Sequence, residues 1–211
     1  MSAYTRIVAA TQPKGGTSKS TACINFAVAA AEHDLLVALV DTDPQGSVMM
    51  WKEARCDEWP RVFAMQPREL PNWLRSEGKH FDLIVIDTPA HDTDTLAAVA
   101  RIADLSIIVT QPTRLAIAVA TRLQRVFINA DVPYAILLSQ TPPRLTSRLA
   151  GWLENYRLLG TLVDTQLAYR VAYQDAIPLG LGVVEYEPHG LAADEVRGAT
   201  DWILAKLGIA L

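Results

Sequence analysis

The segment that most constrains the fold is residues 7–21, IVAATQPKGGTSKST, where an apolar run gives way to a glycine-bearing turn and then Lys-Ser-Thr. The run from Ile7 to Ala10 is apolar without alternation, which is typical of a parallel strand buried on both faces. The proline and the two glycines that follow interrupt regular structure and let backbone N–H groups turn inward. From Lys19 the apolar residues recur at helical spacing. The segment therefore predicts a strand, a turn and a helix in succession.

This arrangement predicts an anion site, because unpaired N–H groups and the positive end of the helix dipole point at the same place. In that geometry Lys19 reaches the β- and γ-phosphates of a nucleotide and the Ser20 hydroxyl binds a magnesium ion. The pattern G-x-x-x-x-G-K-[ST] is not fully met, since Pro13 and Ser18 stand where its two glycines belong. Taken alone, the loop is also compatible with a plain strand-to-helix turn.

Acidic side chains follow two further predicted strands. The apolar run at 35–40 leads into Asp41 and Asp43 of DTDPQGS, and FDLIVIDTP at 81–89 leads into Asp87. The carboxyl ends of parallel strands meet at one edge of an open α/β sheet, where such folds bind ligands. Asp87 fits the Walker B pattern, in which a carboxylate at a strand end holds magnesium beside a nucleotide.

PKGGTSKST resembles the deviant Walker A box of the ParA/MinD superfamily, which has the form K-G-G-x-x-K-[ST]. The segments VDTDPQGSVMMW, FDLIVIDTPA and EYEPHG follow in the order and spacing of small ParA-type partition ATPases. The proline before the first lysine and the tryptophan after DTDPQ resemble the short ParF-like branch. The resemblance covers essentially the whole chain and implies a P-loop ATPase with ATP and Mg²⁺ as cofactors.

The resemblance also implies roles for single residues. Lys14, the signature lysine, would contact the phosphates across an ATP-bound dimer, whereas Lys19 would serve its own subunit. Asp43 would position the attacking water, and Asp41 would contact the magnesium-water shell or support its loop. The predicted catalytic residues are Lys14, Lys19 and Asp43; the nucleotide-binding residues are Lys14, Gly15, Gly16, Thr17, Ser18, Lys19, Ser20, Thr21, Pro112 and Thr113; and the metal ligands are Ser20, Asp41 and Asp87. Pro112 and Thr113 are included because the corresponding loop of the family lies near the base and the dimer face.

The alternation of strands and helices predicts a single doubly wound α/β domain over 1–211, with a mostly parallel sheet. Further strands are predicted over 61–65, 105–110, 134–138, 160–163 and 183–188, and helices over 48–58, 69–77, 115–129, 145–158 and 192–207. Trp51 and Met50 are predicted to pack in the core or an interface. In AHDTDT, metal ligation by His91, Asp92 and Asp94 is conceivable, but Thr93 or Asp94 as a helix cap is the favoured interpretation.

Composition excludes several classes of protein. No apolar run approaches the roughly 20 residues that span a bilayer, and residues 1–6 lack a signal-peptide pattern, so a cytoplasmic protein is expected. Cys23 and Cys56 stand alone, which argues against structural zinc and disulfides, and Cys23 is expected in the core. The formal net charge of −4 means that any DNA contact must come from a local patch.

The resemblance implies an ATP-driven dimerisation switch with slow, partner-stimulated hydrolysis. It further implies sequence-neutral DNA binding, a nucleoid-associated location, and a ParB-like or centromere-binding adaptor that links the switch to a plasmid, a chromosome or another cargo. No separate N-terminal DNA-binding domain is expected. Candidate DNA contacts are the scattered Arg144, Arg148, Arg157, Arg170 and Arg197.

Two alternatives stay open. A MinD-like membrane switch requires a basic amphipathic tail, but WILAKLGIAL at 202–211 has one basic residue and predicts a helix packed on the core. A metabolic P-loop enzyme, such as a dethiobiotin-synthetase relative, fits Lys14 less well. An iron-sulfur ATPase of the nitrogenase-reductase type would need cluster cysteines late in the chain, and there are none beyond Cys56.

Overall fold

The structure, a computed structural model, describes residues 5–90 and 93–210. Its strands are β1 (Arg6–Thr11), β2 (Val37–Asp41), β3 (Arg61–Ala64), β4 (Leu83–Asp87), β5 (Leu105–Thr110) and β6 (Tyr134–Leu138). They form one 6-stranded sheet in the order β3-β2-β4-β1-β5-β6. Every pairing in this sheet is parallel, which confirms the predicted doubly wound α/β class.

The helices connect the strands on both faces of the sheet. They are α1 (Lys19–Ala31), α2 (Ser47–Ala54), α3 (Leu70–Ser76), α4 (Thr93–Ala100), α5 (Arg114–Asn129), α6 (Ser147–Arg157), α7 (Val171–Ala176), α8 (Val183–Tyr186) and α9 (Leu191–Lys206), with short 3₁₀ turns at Gly78–His80 and Ile177–Leu179.

Strand side chains alternate between two cores. Val8 and Val85 belong to the core that contains α1 and α9, whereas their chain neighbours Ala9 and Ile86 face the core that contains α3 and α4. Because helices cover both faces, the central strands are largely apolar and buried along their length, as the unalternating sequence runs predict. The carboxyl edge of the sheet is left to the loops, and this is where the polar residues gather.

Two predicted strands are wrong. Residues 183–188 form α8 and an exposed turn instead of an edge strand, because Glu185 accepts a hydrogen bond from the Gly182 N–H (2.8 Å) and the Asn25 side chain accepts one from the Val183 N–H (2.8 Å). Residues 160–163 contribute only an isolated bridge between Leu162 and Ile136. These tertiary contacts leave no trace in local periodicity.

Several smaller predictions are settled by burial. Trp51 and Cys23 are buried in the core, as expected, but Met50 is 69% exposed and does not pack there. The metal ligation considered for His91 and Asp92 concerns residues outside the described ranges, and the side chain of Asp94 is likewise not described.

The C-terminal segment packs on the core as predicted. Ile203, Leu204, Leu207 and Ile209 are all buried in the same cluster as α1. None of the helices in the described ranges is long and apolar enough to cross a membrane.

The turn after α7 is locked against the end of α2, and this contact yields a stability prediction. Gly180 has φ +70, and a Cβ there would lie 2.4 Å from the backbone N of Arg55, so Gly180→Ala would both strain the backbone and force the two segments apart. Gly208 has φ +71 with nothing nearer than 3.9 Å, so Gly208→Ala adds only the conformational cost. We expect Gly180→Ala to lower the free energy of unfolding by about 2 kcal/mol more than Gly208→Ala does in urea titrations. Equal losses would show that the contact with Arg55 does not constrain the turn.

Candidate nucleotide-binding site

The loop between β1 and α1 is held in a form that presents its amides. Gly16 and Ser18 are both left-handed, with φ of 75 and 64, and α1 starts directly afterwards at Lys19. Within the described residues, Gly15 and Gly16 form a tight turn, and the N–H groups of Gly15, Gly16 and Ser18 donate no hydrogen bond. Unpaired amides beside a helix N-terminus form an anion-binding concavity.

Side chains from the neighbouring loops fix the outer side of this turn. Ser139, directly after β6, donates from its hydroxyl to the Thr17 carbonyl at 2.8 Å. Gln111 and Gln140 both donate to the Gly16 carbonyl at 3.1 Å. The loop carbonyls are therefore bound from the side of β5 and β6.

Asp87 is a buried carboxylate with unfinished hydrogen bonding. It is 0% exposed and its Oδ2 atom has no partner, while Oδ1 lies 3.8 Å from the Cys23 sulfur. Burial raises the pKa of Asp87 to about 7, and the nearby Asp41 adds to this, although Ser20 and Lys19 act in the opposite direction. A cation at this position would supply the missing partner.

Asp41 is next to Asp87 across β2 and β4, but its oxygens are already engaged. Oδ1 accepts the Asp43 N–H at 3.0 Å, and Oδ2 accepts those of Val48 and Met49 at 3.1 and 3.3 Å. Burial raises the pKa of Asp41, and these three hydrogen bonds oppose the rise. Of its two predicted roles, the geometry favours support of the loop and the N-terminus of α2.

Asp43 is half-buried and faces the same cavity as the phosphate loop. Its Oδ1 accepts the Gln45 N–H at 3.0 Å, an Asx turn that fixes the side chain. Thr42 ties this loop to β4, because its hydroxyl donates to the Asp87 carbonyl at 2.6 Å. The loop after β2 is thus anchored directly beside the magnesium candidate.

In the described ranges neither loop lysine has a direct ion-pair partner, although Lys19 is near enough to Asp87 to lower the pKa of that carboxyl. Lys19 is only 7% exposed and Lys14 is half-buried, yet neither forms an ion pair within the described residues. Buried charges are normally paired, because desolvation of an isolated charge is costly. Unpaired lysines and free amides can bind the phosphates of a nucleotide, and the unpartnered carboxylate oxygen can bind a magnesium ion. The residues therefore fit Mg²⁺ and ATP.

Two adjoining cavities meet at the loop. The larger, about 770 Å³, is lined by residues 15–21 together with Asp43 and other polar groups. The smaller, about 310 Å³, has more apolar walls that include Leu167 and Tyr169. Ser18, Thr21 and Ile177 line both. The pair offers a polar compartment for phosphates beside a less polar one for a nucleoside.

The structure brings most of the predicted residues together. Gly15, Gly16, Thr17, Ser18, Lys19, Ser20, Thr21 and Asp43 line the larger cavity, and Asp87 contacts Ser20. Pro112 and Thr113 line neither cavity; the Thr113 hydroxyl caps α5 by accepting the Ala116 N–H at 3.2 Å. Their assignment to the nucleotide stays a prediction without geometric support here.

Sequence reasoning missed Ser139, Gln140, Gln111 and Thr42. Ser139, Gln111 and Thr42 directly follow strands at the carboxyl edge and Gln140 is the second residue after one, and that position was the available signal.

Comparison with known proteins agrees with this geometry. Residues 8–184 match the family described as the CobQ/CobB/MinD/ParA nucleotide binding domain. The chain belongs to this family. It is 37% identical over 206 residues to Maintenance of carboxysome distribution protein A from Gloeobacter kilaueensis, a match that covers 95% of this chain and 87% of the relative. The protein of the same name from Halothiobacillus neapolitanus is 26% identical over 87% of this chain and 89% of its own.

Solved structures of the family share the fold. A variant of McdA from Cyanothece in complex with ATP superposes with a TM-score of 0.79 at 13% identity and covers 98% of both chains. MinD from Pyrococcus horikoshii complexed with Mg-ADP gives 0.76 at 19% identity, covering 95% of this chain and 96% of its own. The match over residues 8–184 confirms the family that the Walker-type motifs predict, and the solved structures agree in fold.

The raised pKa of Asp87 gives a pH-dependent stability prediction for the nucleotide-free protein. In the unfolded chain Asp87 titrates near its ordinary 3.8, and in the folded protein near 7, so the folded state holds this proton more tightly. The resulting stabilisation is complete below the unfolded pKa and is lost as pH rises through 7.

We expect Asp87→Asn to be more stable than wild type at pH 8, by about 1–3 kcal/mol in urea unfolding, with a smaller difference at pH 5. Asp164→Asn, which changes an exposed carboxylate, is the control and should show no such pH trend. If wild type were more stable than Asp87→Asn at pH 8, the charge of the buried Asp87 carboxylate would have to be compensated, which would contradict this prediction.

Proposed function

We propose that this protein is an ATP-driven molecular switch that distributes an intracellular cargo. The observation that carries the proposal is the pair of Lys19 and Asp87, two ionisable groups without direct ion-pair partners in the described residues, beside a loop with free amides. Lys14 belongs to the same loop and lines neither cavity. The relative from Gloeobacter kilaueensis, named for carboxysome distribution and matched over 95% of this chain, supports the assignment of a positioning role.

The residues divide the work of nucleotide binding and hydrolysis. The free amides of the loop and Lys19 would bind the phosphates, and Ser20 and Asp87 would hold a magnesium ion, which supplies charge neutralisation when bound. Asp43, fixed by its Asx turn, would orient the attacking water. Leu167 and Tyr169 line the smaller cavity, which would take the adenosine. Catalysis by this site is positioning and charge stabilisation, with no covalent intermediate on the protein.

Lys14 is assigned to the partner subunit's nucleotide. Its ammonium has no acidic partner within the described part of its own chain, so it is available to bind a phosphate across a dimer interface. ATP would then join two chains, and hydrolysis would separate them. An adaptor that links the dimer to its cargo and accelerates hydrolysis completes the proposed cycle.

The test of this switch is the mass of the protein in solution with and without nucleotide. Wild type should dimerise with Mg-ATP and stay monomeric with Mg-ADP in light scattering after size-exclusion chromatography. Lys14→Ala should bind ATP within a few-fold of wild-type affinity but remain monomeric, because only the contact across the interface is lost. Lys52→Ala, a lysine on α2 outside both cavities, is the control. Dimerisation of Lys14→Ala would contradict the proposal.

The five arginines suggested by the sequence are poor candidates for a DNA surface. Arg157, Arg170 and Arg197 form ion pairs with glutamates at 2.6, 2.6 and 2.8 Å. Arg144 and Arg148 are exposed near the start of α6. A phosphate backbone would have to compete with the carboxylates for three of the five side chains.

Helix α5 offers a better basic surface. Arg114, Arg122 and Arg125 are exposed on one face, and the 16 residues RLAIAVATRLQRVFIN contain no acidic side chain. None of the three forms an ion pair in the described part of the chain. They lie within about 80° of one another around the helix and span roughly 16 Å along it. On a chain with a net charge of −4, this stripe is a local site for the sugar-phosphate backbone of DNA.

We expect Arg122→Ala/Arg125→Ala to weaken ATP-dependent binding to random-sequence duplex DNA about tenfold at low salt. The plot of log binding constant against log salt concentration should become less steep, by about 2 in slope for each chain of the dimer. The control Arg61→Ala/Arg157→Ala removes the same charge from side chains already paired with Glu58 and Glu154, and should bind like wild type. ATP-dependent sedimentation with anionic liposomes in place of DNA would favour the MinD-like alternative.

A further inference from the structure

The Gly16 carbonyl in the phosphate loop accepts hydrogen bonds from a closed network of side chains that no Walker-type motif specifies. Gln140 Nε2 donates to the Ser18 hydroxyl at 2.7 Å and to the Gly16 carbonyl at 3.1 Å. Gln111 Nε2 donates to the same carbonyl at 3.1 Å and to Gln140 Oε1 at 2.7 Å. An amide nitrogen carries two N–H groups, so both side chains use every donor they have. We call these four residues the amide clamp.

The clamp accounts for Ser18, which stands where the Walker pattern has a glycine. Ser18 has φ 64, a region that glycine enters without cost and other residues do not. A serine at a helix N-terminus ordinarily caps the helix, but the Ser18 side chain forms no cap hydrogen bond. Its hydroxyl accepts from Gln140 instead. Ser18 therefore serves as an anchor for the clamp.

The clamp also orients the amides that face the anion site. In a planar trans peptide the C=O and the N–H point in opposite directions. Because Gln111 and Gln140 hold the Gly16 carbonyl, the Thr17 N–H points away from the clamp. Ser139 holds the next carbonyl, that of Thr17, at 2.8 Å and orients the Ser18 N–H in the same way. Two successive N–H groups are thereby fixed before any ligand binds.

Core packing does not explain the clamp, because Gln140 is exposed and lines the smaller cavity. Gln140 itself has φ 52, so both ends of the bond between Ser18 and Gln140 hold a left-handed backbone. A glutamine side chain that contacted only solvent would not require a left-handed backbone at Ser18 or at Gln140. The contact joins residues 122 positions apart in the chain and is specific to this pair of side chains.

We propose that Gln140, supported by Gln111, is a positioning residue that keeps the phosphate loop in its anion-binding form, with Ser18 as its anchor. The inference rests on the proposed nucleotide-binding function of the same loop. It assigns to this chain a device by which a serine substitutes for the second glycine of the Walker pattern: the flexibility of glycine is replaced by an external clamp. A chain with glycine at position 18 would not need Gln140.

The test compares dissociation constants for Mg-ATP and Mg-ADP, measured by titration calorimetry. Gln140→Ala should bind both about tenfold more weakly, the effect of losing two hydrogen bonds. Gln140→Glu should bind at least as weakly although it is the same size, because it lacks both donors. Ser18→Gly in the Gln140→Ala background should recover most of the affinity. Asn155→Ala, an exposed amide on α6, is the control and should match wild type.

The titrations distinguish a positioning role for Gln140 from direct contact with the nucleotide. If wild type and Gln140→Ala bind Mg-ATP equally, the clamp is refuted and the nucleotide site survives. If Ser18→Gly does not recover affinity, Gln140 touches the ligand directly and the positioning role is wrong. If wild type binds no nucleotide at all, the proposed function itself fails.

Backbone ¹⁵N relaxation tests the clamp without any ligand. In nucleotide-free protein, the order parameters of the amides from Gly15 to Ser18 should fall in Gln140→Ala and stay unchanged in Asn155→Ala, while those of the strands stay at the wild-type level. Unchanged order parameters from Gly15 to Ser18 would overturn the clamp. The strand values also report whether the variant is folded.

Discussion

The structure depends on a concentration of unpaired charge at the carboxyl edge of one parallel sheet. Asp87 is buried at the end of β4 with one oxygen unpartnered, and Lys19 is nearly buried at the start of α1 without a counter-ion in the described ranges. The strand register places Ala10 and Asp41 on either side of Asp87, so the phosphate loop and the loop after β2 converge on it. Buried charge of this kind is costly in the absence of a ligand. Its cost is the free energy that binding of magnesium and phosphates would recover.

Most of the fold and the centre of the site could be predicted because the signals are local. The strands at 7–10 and 134–138 are continuous apolar runs and that at 105–110 is largely apolar, while Lys19 and Ser20 follow β1 and Asp87 ends β4 at the offsets of the Walker-type motifs. Longer-range features were out of reach. The helix at Val183–Tyr186 depends on Asn25, and the loop-supporting role of Asp41 depends on amides from α2. Gln140 follows a strand like many polar residues, and no local pattern specifies its bond to Ser18.

On the surface, as in the site, a charged side chain is available to bind a ligand only if no carboxylate already pairs with it. Counting arginines in the sequence drew attention to Arg170 and Arg197, which the structure pairs with Glu195 and Glu32. The helix after β5 carries arginines without such partners in the described chain and begins in the loop that also supplies Gln111. A single connection thus joins the phosphate loop to the candidate DNA surface. In the proposed switch, this short path would couple ATP binding to DNA binding.

The proposed switch requires the loop at 13–21 to bind one magnesium nucleotide per chain through its unpaired groups. Calorimetric titration of Mg-ATP into wild type and Lys19→Ala is the decisive experiment. We expect a stoichiometry of one nucleotide per chain for wild type, and a loss of at least about a hundredfold in affinity for Lys19→Ala, because a nearly buried charge and its phosphate contact are removed together. Equal affinity in the two proteins, or no nucleotide binding by wild type, would show that the loop is not the phosphate site.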